Sequence, residues 1–338
     1  MEALVRTPEA TVAPLLDVRG LTTEFRSREV TIRANAEVSI VVGRGVTLGI
    51  VGESGSGKSV LCRSIPRLVP SPPGFITAGE VWFEGRDLLT LPEEEMRRVR
   101  GTEVRMIFQN PMTSLNPVWP IGDQITEGLR VHGGLSARAV RERGIELLRR
   151  VGIPSPAQRY DEYPFQWSGG MLQRAVIAMA VAGEPKLLLA DEPTTALDVT
   201  IQAQILVLMR QLQAETGTAI LFITHNLGVV AEIADHIAVM YAGRVVEEGD
   251  VRAIFKTPKH PYTKGLLASM PRLDEDHRVP SRLGAIPGNV PSPTKVHRGC
   301  AFAPRCPLVV PACEEAPPPL FETTAPGHRA RCIRWSEV

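Results

Sequence analysis

The run Gly52-Glu-Ser-Gly-Ser-Gly57-Lys58-Ser59 has the spacing G-x-x-x-x-G-K-[ST], with Val60 next in line, and its residue types suit one task, the holding of a polyphosphate. Glycines at 52, 55 and 57, with Ser54 and Ser56 between them, let successive backbone N–H groups curl around phosphate oxygens, and a helix N-terminus adds positive dipole. Lys58 then supplies charge to the β- and γ-phosphates, and Ser59 offers a hydroxyl to Mg2+. A second feature, Leu187-Leu-Leu-Ala-Asp191-Glu192-Pro193, ends an apolar run in two carboxylates. Asp191 suits Mg2+ held through water, and Glu192 suits the acceptance of a proton from an attacking water. Either motif alone has a plain explanation, a tight turn or an acidic helix start; together they point to nucleotide hydrolysis.

A third group is a set of thiols. Cys300, Cys306, Cys313 and Cys332 are separated by five, six and eighteen residues, while Cys62 stands apart after the glycine loop and reads as a small buried hydrophobe. Four thiols allow two disulfides, a zinc site with four thiolate ligands or a [4Fe–4S] cluster. No short C-x2-4-C knuckle of the usual zinc kind occurs, and Arg298, Arg305, Arg329, Arg331 and Arg334 would offset the charge of either metal centre. Spacing and charge therefore leave zinc and iron both open.

The glycine loop needs a strand before it and a helix after it. Thr47–Val51 supplies the first and Lys58–Leu68 the second, ending before Pro70-Ser-Pro-Pro-Gly74. Strands are also expected at Leu15 onward, Val38–Val42 and Gly79–Glu84, with a turn at Gly85-Arg86. From Pro92 to Ala182 the pattern is helical, with Ser136 as N-cap of Ala137–Val151 and Gly152 just beyond its end. Apolar runs Lys186–Ala190 and Ala219–Thr224 flank a helix over Thr200–Glu215 that closes on Gly217, which is a βαβ rhythm. Met240-Tyr-Ala-Gly243 reads as a turn between strands, and regular periodicity fades beyond Asp250.

Composition divides the 338 residues in two. Residues 1–249 carry 25 basic and 29 acidic side chains; residues 250–338 carry 13 and 8, with 14 of the 29 prolines and four of the five cysteines. The overall charge of +1 gives no global basic field of the kind a nucleic-acid binder uses. The most apolar helical run, Ala175–Ala182, is far short of a membrane span. The first fourteen residues lack the apolar core of a secretory signal, so the thiols are expected in a reducing compartment, which disfavours disulfides.

Further stretches resemble a known family. Ser168-Gly169-Gly170-Met171-Leu172-Gln173-Arg174 resembles the signature motif of ABC-transporter ATP-binding subunits, Gln109 their Q-loop, Ala196-Leu-Asp198 their D-loop and Thr224-His225-Asn226 their switch histidine. Six motifs in order over residues 15–250 carry the resemblance. Trp167 and Asn226 depart from the family's commoner Phe and Asp, and neither is a phosphate ligand. His260-Pro-Tyr-Thr-Lys-Gly-Leu-Leu and Gly299-Cys-Ala-Phe-Ala-Pro-Arg-Cys-Pro resemble the C-terminal extension of oligopeptide/dipeptide permease ATPases.

The resemblance implies an α/β fold: a P-loop ABC-type nucleotide-binding domain over 15–250, with RecA-like core, antiparallel β subdomain and an α-helical signature subdomain at about 92–182. A flexible tail (1–14) precedes it and a small irregular Cys-rich extension (251–338) follows. By the same resemblance, His225 contacts the γ-phosphate and positions water, Gln109 senses Mg2+ and water, and Phe25 stacks on adenine. Ser168, Gly169, Gly170, Met171 and Asp198 serve the ATP of a partner subunit in a head-to-tail dimer. The resemblance also tips the four cysteines towards an iron–sulfur cluster, with zinc the alternative. It implies two separate permease subunits, a second ATPase that is a paralogue, an external solute-binding protein, and a place on the cytoplasmic face of the inner membrane. Peptides are the foremost cargo, nickel or opines the alternatives. The groove near Gln109–Pro120 is expected to receive a short permease helix. Two rival readings differ in kind. A soluble ABC ATPase acting on ribosomes or DNA would carry two cassettes or long coiled-coil arms, neither of which is present; a redox sensor built from the thiols is demanded by nothing in the sequence.

Overall fold

The computed structural model describes residues 13–195, 197–270, 286–292, 294 and 298–338. The expected N-terminal tail and Ala196 of the D-loop thus lie almost wholly or wholly outside the described residues.

In chain order, β1 (Leu16–Arg26) and β2 (Thr31–Val42) lead to β3 (Thr47–Val51), the glycine loop and α1 (Lys58–Ser64), then β4 (Gly74–Phe83) and β5 (Arg86–Asp87). Next come α2 (Glu93–Arg98), β6 (Val104–Ile107), α3 (Pro111–Ser114), α4 (Ile121–His132), α5 (Ala137–Arg150), α6 (Pro156–Arg159) and α7 (Gly169–Val181). β7 (Leu187–Asp191), α8 (Val199–Thr216), β8 (Ala219–Ile223), α9 (Leu227–Ile233), β9 (His236–Tyr241) and β10 (Arg244–Asp250) complete the regular core. Beyond it lie α10 (Val251–Lys256), α11 (Pro261–Ala268), α12 (Ala312–Glu315), β11 (Phe321–Glu322) and β12 (Arg329–Ala330).

Two sheets result. One is antiparallel, in the order β2-β1-β4-β5; the other runs β11-β12-β10-β9-β3-β8-β7-β6, with β6, β7, β8, β3 and β9 parallel. Strands β3, β7 and β8 are buried at every position because both faces of the parallel sheet are covered. The two-residue period sorts their side chains. Leu188, Ala190, Ile220 and Phe222 pack with the helical layer of α4, α5, α7 and α8. Leu187, Leu189, Leu221 and Ile223 face the antiparallel sheet and α1, beside Leu16, Val18, Val81, Phe83 and Leu61.

The expected all-helical stretch from Pro92 to Ala182 contains one strand. β6 pairs in parallel with β7, and it carries the chain from the sheet edge to Gln109. Caps fall where the residue types place them. Ser136 Oγ accepts from Ala139 N, and Gly152 and Gly217 adopt left-handed φ of 76° and 67° at helix ends.

The C-terminal extension is more regular than its composition suggests. β12 adds to the sheet edge on β10, and β11 adds to β12. Tyr262, Phe302, Ile254 and Cys300 share a third core with Val51, Val239, Tyr241 and Val246 of the central sheet. A buried carboxylate fastens the joint: Glu247, fully buried on β10, accepts from the backbone N of Lys259 and of His260 and meets His328 Nε2 at 2.7 Å. His260 caps α11, its Nδ1 accepting from Tyr262 N at 3.1 Å. Burial, with a smaller contribution from Arg331, pushes the His260 imidazole down from 6.5 to about 3. Between those two values the unfolded chain binds one proton that the folded chain refuses. Stability is therefore full above about pH 6.5 and falls as pH drops towards 3, by about 1.4 kcal/mol per pH unit. His260→Asn keeps an N-cap acceptor and removes that proton. Urea unfolding of this variant is predicted to show a correspondingly shallower loss of stability between pH 6.5 and 5 than wild type; equal slopes would contradict the assignment.

Candidate active site

Because β3, β6, β7 and β8 run parallel, their carboxyl ends open on one edge of the sheet, the edge where α/β proteins place ligands. The chain delivers its chemistry there: Gly52–Ser59 after β3, Gln109 after β6, Asp191 and Glu192 at the end of β7, and His225 after β8. A cleft of about 780 Å3 is lined by Ser54–Val60, Gln109, Glu192, Arg33, Ala34 and Gly243, among others.

The glycine loop is packed too tightly for side chains at two of its glycines. Gly52 sits at φ 155°, and a Cβ on it would lie 2.1 Å from Met240 O; Gly57 sits at φ 97°, and its Cβ would lie 2.3 Å from Ala34 O. Asn35 Nδ2 donates to Gly57 O at 3.0 Å, and Gly243 N donates to Ser56 O at 3.0 Å, so β2 and the β9–β10 turn hold the loop from outside. Lys58 Nζ donates to Gly52 O and Glu53 O at 2.7 and 2.9 Å. Burial lowers its pKa, while the Glu192, Asp191 and Glu53 carboxylates oppose that shift.

Across the cleft Ser59 Oγ donates to Asp191 Oδ1 at 2.7 Å. Asp191 is fully buried, its Oδ2 has no hydrogen-bond partner and only a 4.0 Å ion-pair contact with Arg63 Nη2, and burial raises its pKa while Ser59 and Arg63 oppose the rise. A buried carboxylate oxygen without a donor, beside a serine hydroxyl, is the donor set that a hard cation with oxygen ligands completes. Ser59 and Asp191 are therefore suited to Mg2+; Gln109, expected to join them, donates to Glu192 Oε2.

Glu192 is the hub of the opposite wall. Its backbone is left-handed, φ 49°, the sort of strain that proteins keep at functional sites. Its Oε2 accepts from Gln109 Nε2 at 3.1 Å and from Thr195 Oγ1 at 2.9 Å, and it lies 3.3 Å from His225 Nδ1. The structure thus brings together Gln109, Glu192 and His225, three residues from three strand ends. Thr195, which the motifs do not single out, fixes the same oxygen; a hydroxyl three residues after the acid is the available signal.

Other expected residues lie elsewhere. Ser168 caps α7, accepting from Met171 N at 3.4 Å, with Ser168 and Gly169 exposed and Gly170 and Met171 half-buried. Asp198 caps α8, accepting from Ile201 N at 2.9 Å. Neither group lines the phosphate cleft of its own chain. Phe25, on β1, lies against Gly74 of β4, and the cleft wall near it is formed by Glu24, Ile32 and Arg33. Asn226 caps α9 through Oδ1, accepting from Gly228 N at 2.9 Å, a task that Asp also performs.

The four thiols converge. Cys300, Cys306, Cys313 and Cys332 line one small cavity with Phe302, Leu308 and Pro318, and none is in a disulfide. Leu308 N donates to Cys306 Sγ at 3.3 Å. Burial pushes the Cys332 thiol up to about 11, and its three neighbours add to the rise while the Arg334 backbone N–H opposes it. Among the described residues no group of three or more His, Cys, Asp or Glu side chains is arranged to hold a metal ion.

A phosphate loop, a paired acid strand, a glutamine and a histidine at neighbouring strand ends, on a sheet flanked by an antiparallel subdomain and a helical layer, define an ATP-binding cassette ATPase. Comparisons agree. The ABC transporter profile matches residues 36–195, and that of the oligopeptide/dipeptide transporter C-terminal region matches 246–313. A putative peptide import ATP-binding protein of Brucella melitensis is 56% identical over 333 residues, 96% of this chain and 98% of that protein. The oligopeptide transport ATP-binding protein OppD of Bacillus subtilis is 53% identical over 313 residues, 93% of this chain and 87% of that one. A dimeric ATP-binding cassette, MJ0796, solved in a post-hydrolysis state with ADP and Pi, matches with TM-score 0.63 and 28% identity over 70% of this chain and 99% of its own. CbiO1 of Clostridium perfringens matches at 0.61 and 26%, over 72% and 90%. The chain belongs to the ABC transporter family, in the branch that carries the oligopeptide/dipeptide C-terminal region, and is an ATPase that energises a multi-subunit importer.

Loss of one hydrogen bond to a charged acceptor costs about 1.5–3 kcal/mol. Thr195→Val is therefore predicted to lower kcat for ATP by roughly tenfold or more while KM stays within about twofold. Steady-state kinetics with unchanged kcat would remove Thr195 from the positioning of Glu192.

Proposed function

We propose that this subunit couples ATP hydrolysis to the import of peptides. The observation that carries the cargo is the C-terminal region at 246–313, of the oligopeptide/dipeptide type, together with relatives named for peptide import across nearly the whole chain. In the proposed reaction the Gly52–Ser59 loop and Lys58 hold the triphosphate. Ser59 and Asp191 hold Mg2+, which supplies charge to the phosphate oxygens. Glu192 Oε2 takes the proton of the attacking water, while Gln109, His225 and Thr195 keep that oxygen oriented.

Assembly follows the same reading. Exposed Ser168 and Gly169 at a helix N-terminus, away from their own cleft, suit a phosphate presented by a second cassette, and Asp198 would lie at that junction. The partner is a paralogue in this reading, and Phe25 stacks on adenine once nucleotide enters. No helix among the described residues is long and apolar enough to cross a membrane. In this reading separate permease subunits, fed by an external solute-binding protein, hold the subunit at the cytoplasmic face. Just after Gln109, Met112, Val118 and Trp119 are 59%, 73% and 51% exposed, an apolar patch suited to a permease helix.

The four cysteines are proposed to hold a metal centre, an iron–sulfur cluster foremost and zinc as the alternative. Convergence on one cavity and a backbone N–H aimed at Cys306 support it. The site is structural in this reading, since it lies in the core that joins the extension to the sheet.

Three outcomes are expected. Glu192→Gln should cut ATP turnover of the assembled transporter by about a hundredfold or more while leaving ATP binding intact; undiminished turnover, after allowance for the partner's own site, would contradict the role of Glu192. Anaerobically purified protein should contain iron and acid-labile sulfide, both lost in Cys306→Ser; zinc alone at one per chain would select the alternative. Cargo is tested by measuring ATPase stimulation in the reconstituted transporter with peptides, nickel and opines. Stimulation by nickel or opines and not by peptides would overturn the peptide assignment.

A further inference from the structure

The phosphate loop is held on its outer side by the C-terminal extension, and the contact is ionic. Glu53, second residue of the loop, has its carboxylate gripped by Arg305, with Nη1 to Oε2 at 2.8 Å and Nη2 to Oε1 at 3.1 Å. Such a fork fixes orientation as well as charge. Arg305 is only 8% exposed and is itself fixed by Nε to Pro287 O at 3.0 Å, Nη2 to Ile286 O at 3.3 Å and Nη1 to Tyr241 Oη at 3.3 Å. The extension also reaches the loop backbone, where Glu53 N donates to Tyr262 Oη at 2.8 Å. From inside the cleft, Lys58 Nζ donates to Glu53 O at 2.9 Å. Residue 53 is therefore held at three points, two of them by the extension, and it is directly joined to the lysine that faces phosphate.

We propose that Arg305 is a positioning residue of the nucleotide site. By pairing with Glu53 it keeps that carboxylate turned outward and neutralised, so that the loop amides and Lys58 are free for the anionic triphosphate. Without Arg305 the Glu53 charge is unbalanced beside a loop whose task is to bind anions, and it competes with phosphate for Lys58. The effect falls on nucleotide affinity rather than on the hydrolytic step, because Glu192, Gln109 and His225 belong to other strand ends. The inference rests on the ATP-binding reading of this cleft; failure of wild-type protein to bind ATP would sink that reading and leave the Arg305 contact untouched.

Neutralising the two charges in turn separates positioning from simple support. Full-length chain in the assembled transporter is used for kinetics, and the purified chain for titration with a fluorescent ATP analogue. Arg305→Met should raise both KM for ATP and the analogue Kd about tenfold, with kcat within twofold. Removing the unbalanced carboxylate as well, in Arg305→Met/Glu53→Gln, should bring both constants back to within about threefold of wild type. Constants unchanged in Arg305→Met, or a double variant as weak as the single one, would overturn the proposal. If Arg305→Met does not fold, Arg305→Lys carries the test: it keeps the charge and loses the fork, and a rise of about threefold is expected, whereas unchanged constants would overturn the proposal.

Discussion

Asp191 sets the terms for the rest of the active site. It is a carboxylate with no exposure, one oxygen bonded to Ser59 and the other without a hydrogen bond, facing Arg63 Nη2 at 4.0 Å. Leaving a buried acceptor unsatisfied costs on the order of 1–3 kcal/mol, so a fold that keeps one does so against its own stability. The cost becomes intelligible if the empty lone pairs belong to a cation that arrives with the nucleotide. The parallel sheet makes this arrangement possible by bringing the end of β7 beside the end of β3, with β8 between them.

Around that pair the strand ends divide the labour. β3 leads into the phosphate loop, β7 into Asp191 and Glu192, and β6 and β8 into Gln109 and His225 on either side of Glu192. The two ladders of side chains along each central strand lock both layers to this edge, since a one-residue slip in β7 would exchange the sets that face the helical layer and the antiparallel sheet. The extension supports the same edge from a different direction. Its short strands lengthen the sheet beyond β10, and its Tyr262 and Arg305 touch the phosphate loop itself.

Much of this is legible in the residues. Strands β3, β7 and β8 are short apolar runs bounded by turn residues, and α5 and α8 end on glycines whose left-handed φ needs no Cβ. The cluster of Gln109, Glu192 and His225 is readable because each member sits at a strand end with a local signature. β6 is not, because four residues with only their ends buried, inside a long helical pattern, carry too little alternation to be seen. The order in the extension is hidden for another reason. Its strands are two residues long and exist only as additions to β10, and its polar anchors join residues far apart in sequence, such as Glu247 with His328 and Glu53 with Arg305. Composition marks the last 89 residues as different, and pairing across 252 positions is beyond what spacing can reveal.

The claim on which the account turns is that Asp191 and Ser59 make this a site for nucleotide together with Mg2+. Calorimetric titration of ATP into wild-type and Asp191→Asn protein, with Mg2+ and with EDTA, tests it directly. The account predicts that Mg2+ tightens ATP binding to wild type, and that Asp191→Asn loses this gain while still binding ATP in EDTA. An equal Mg2+ gain in both proteins would contradict it.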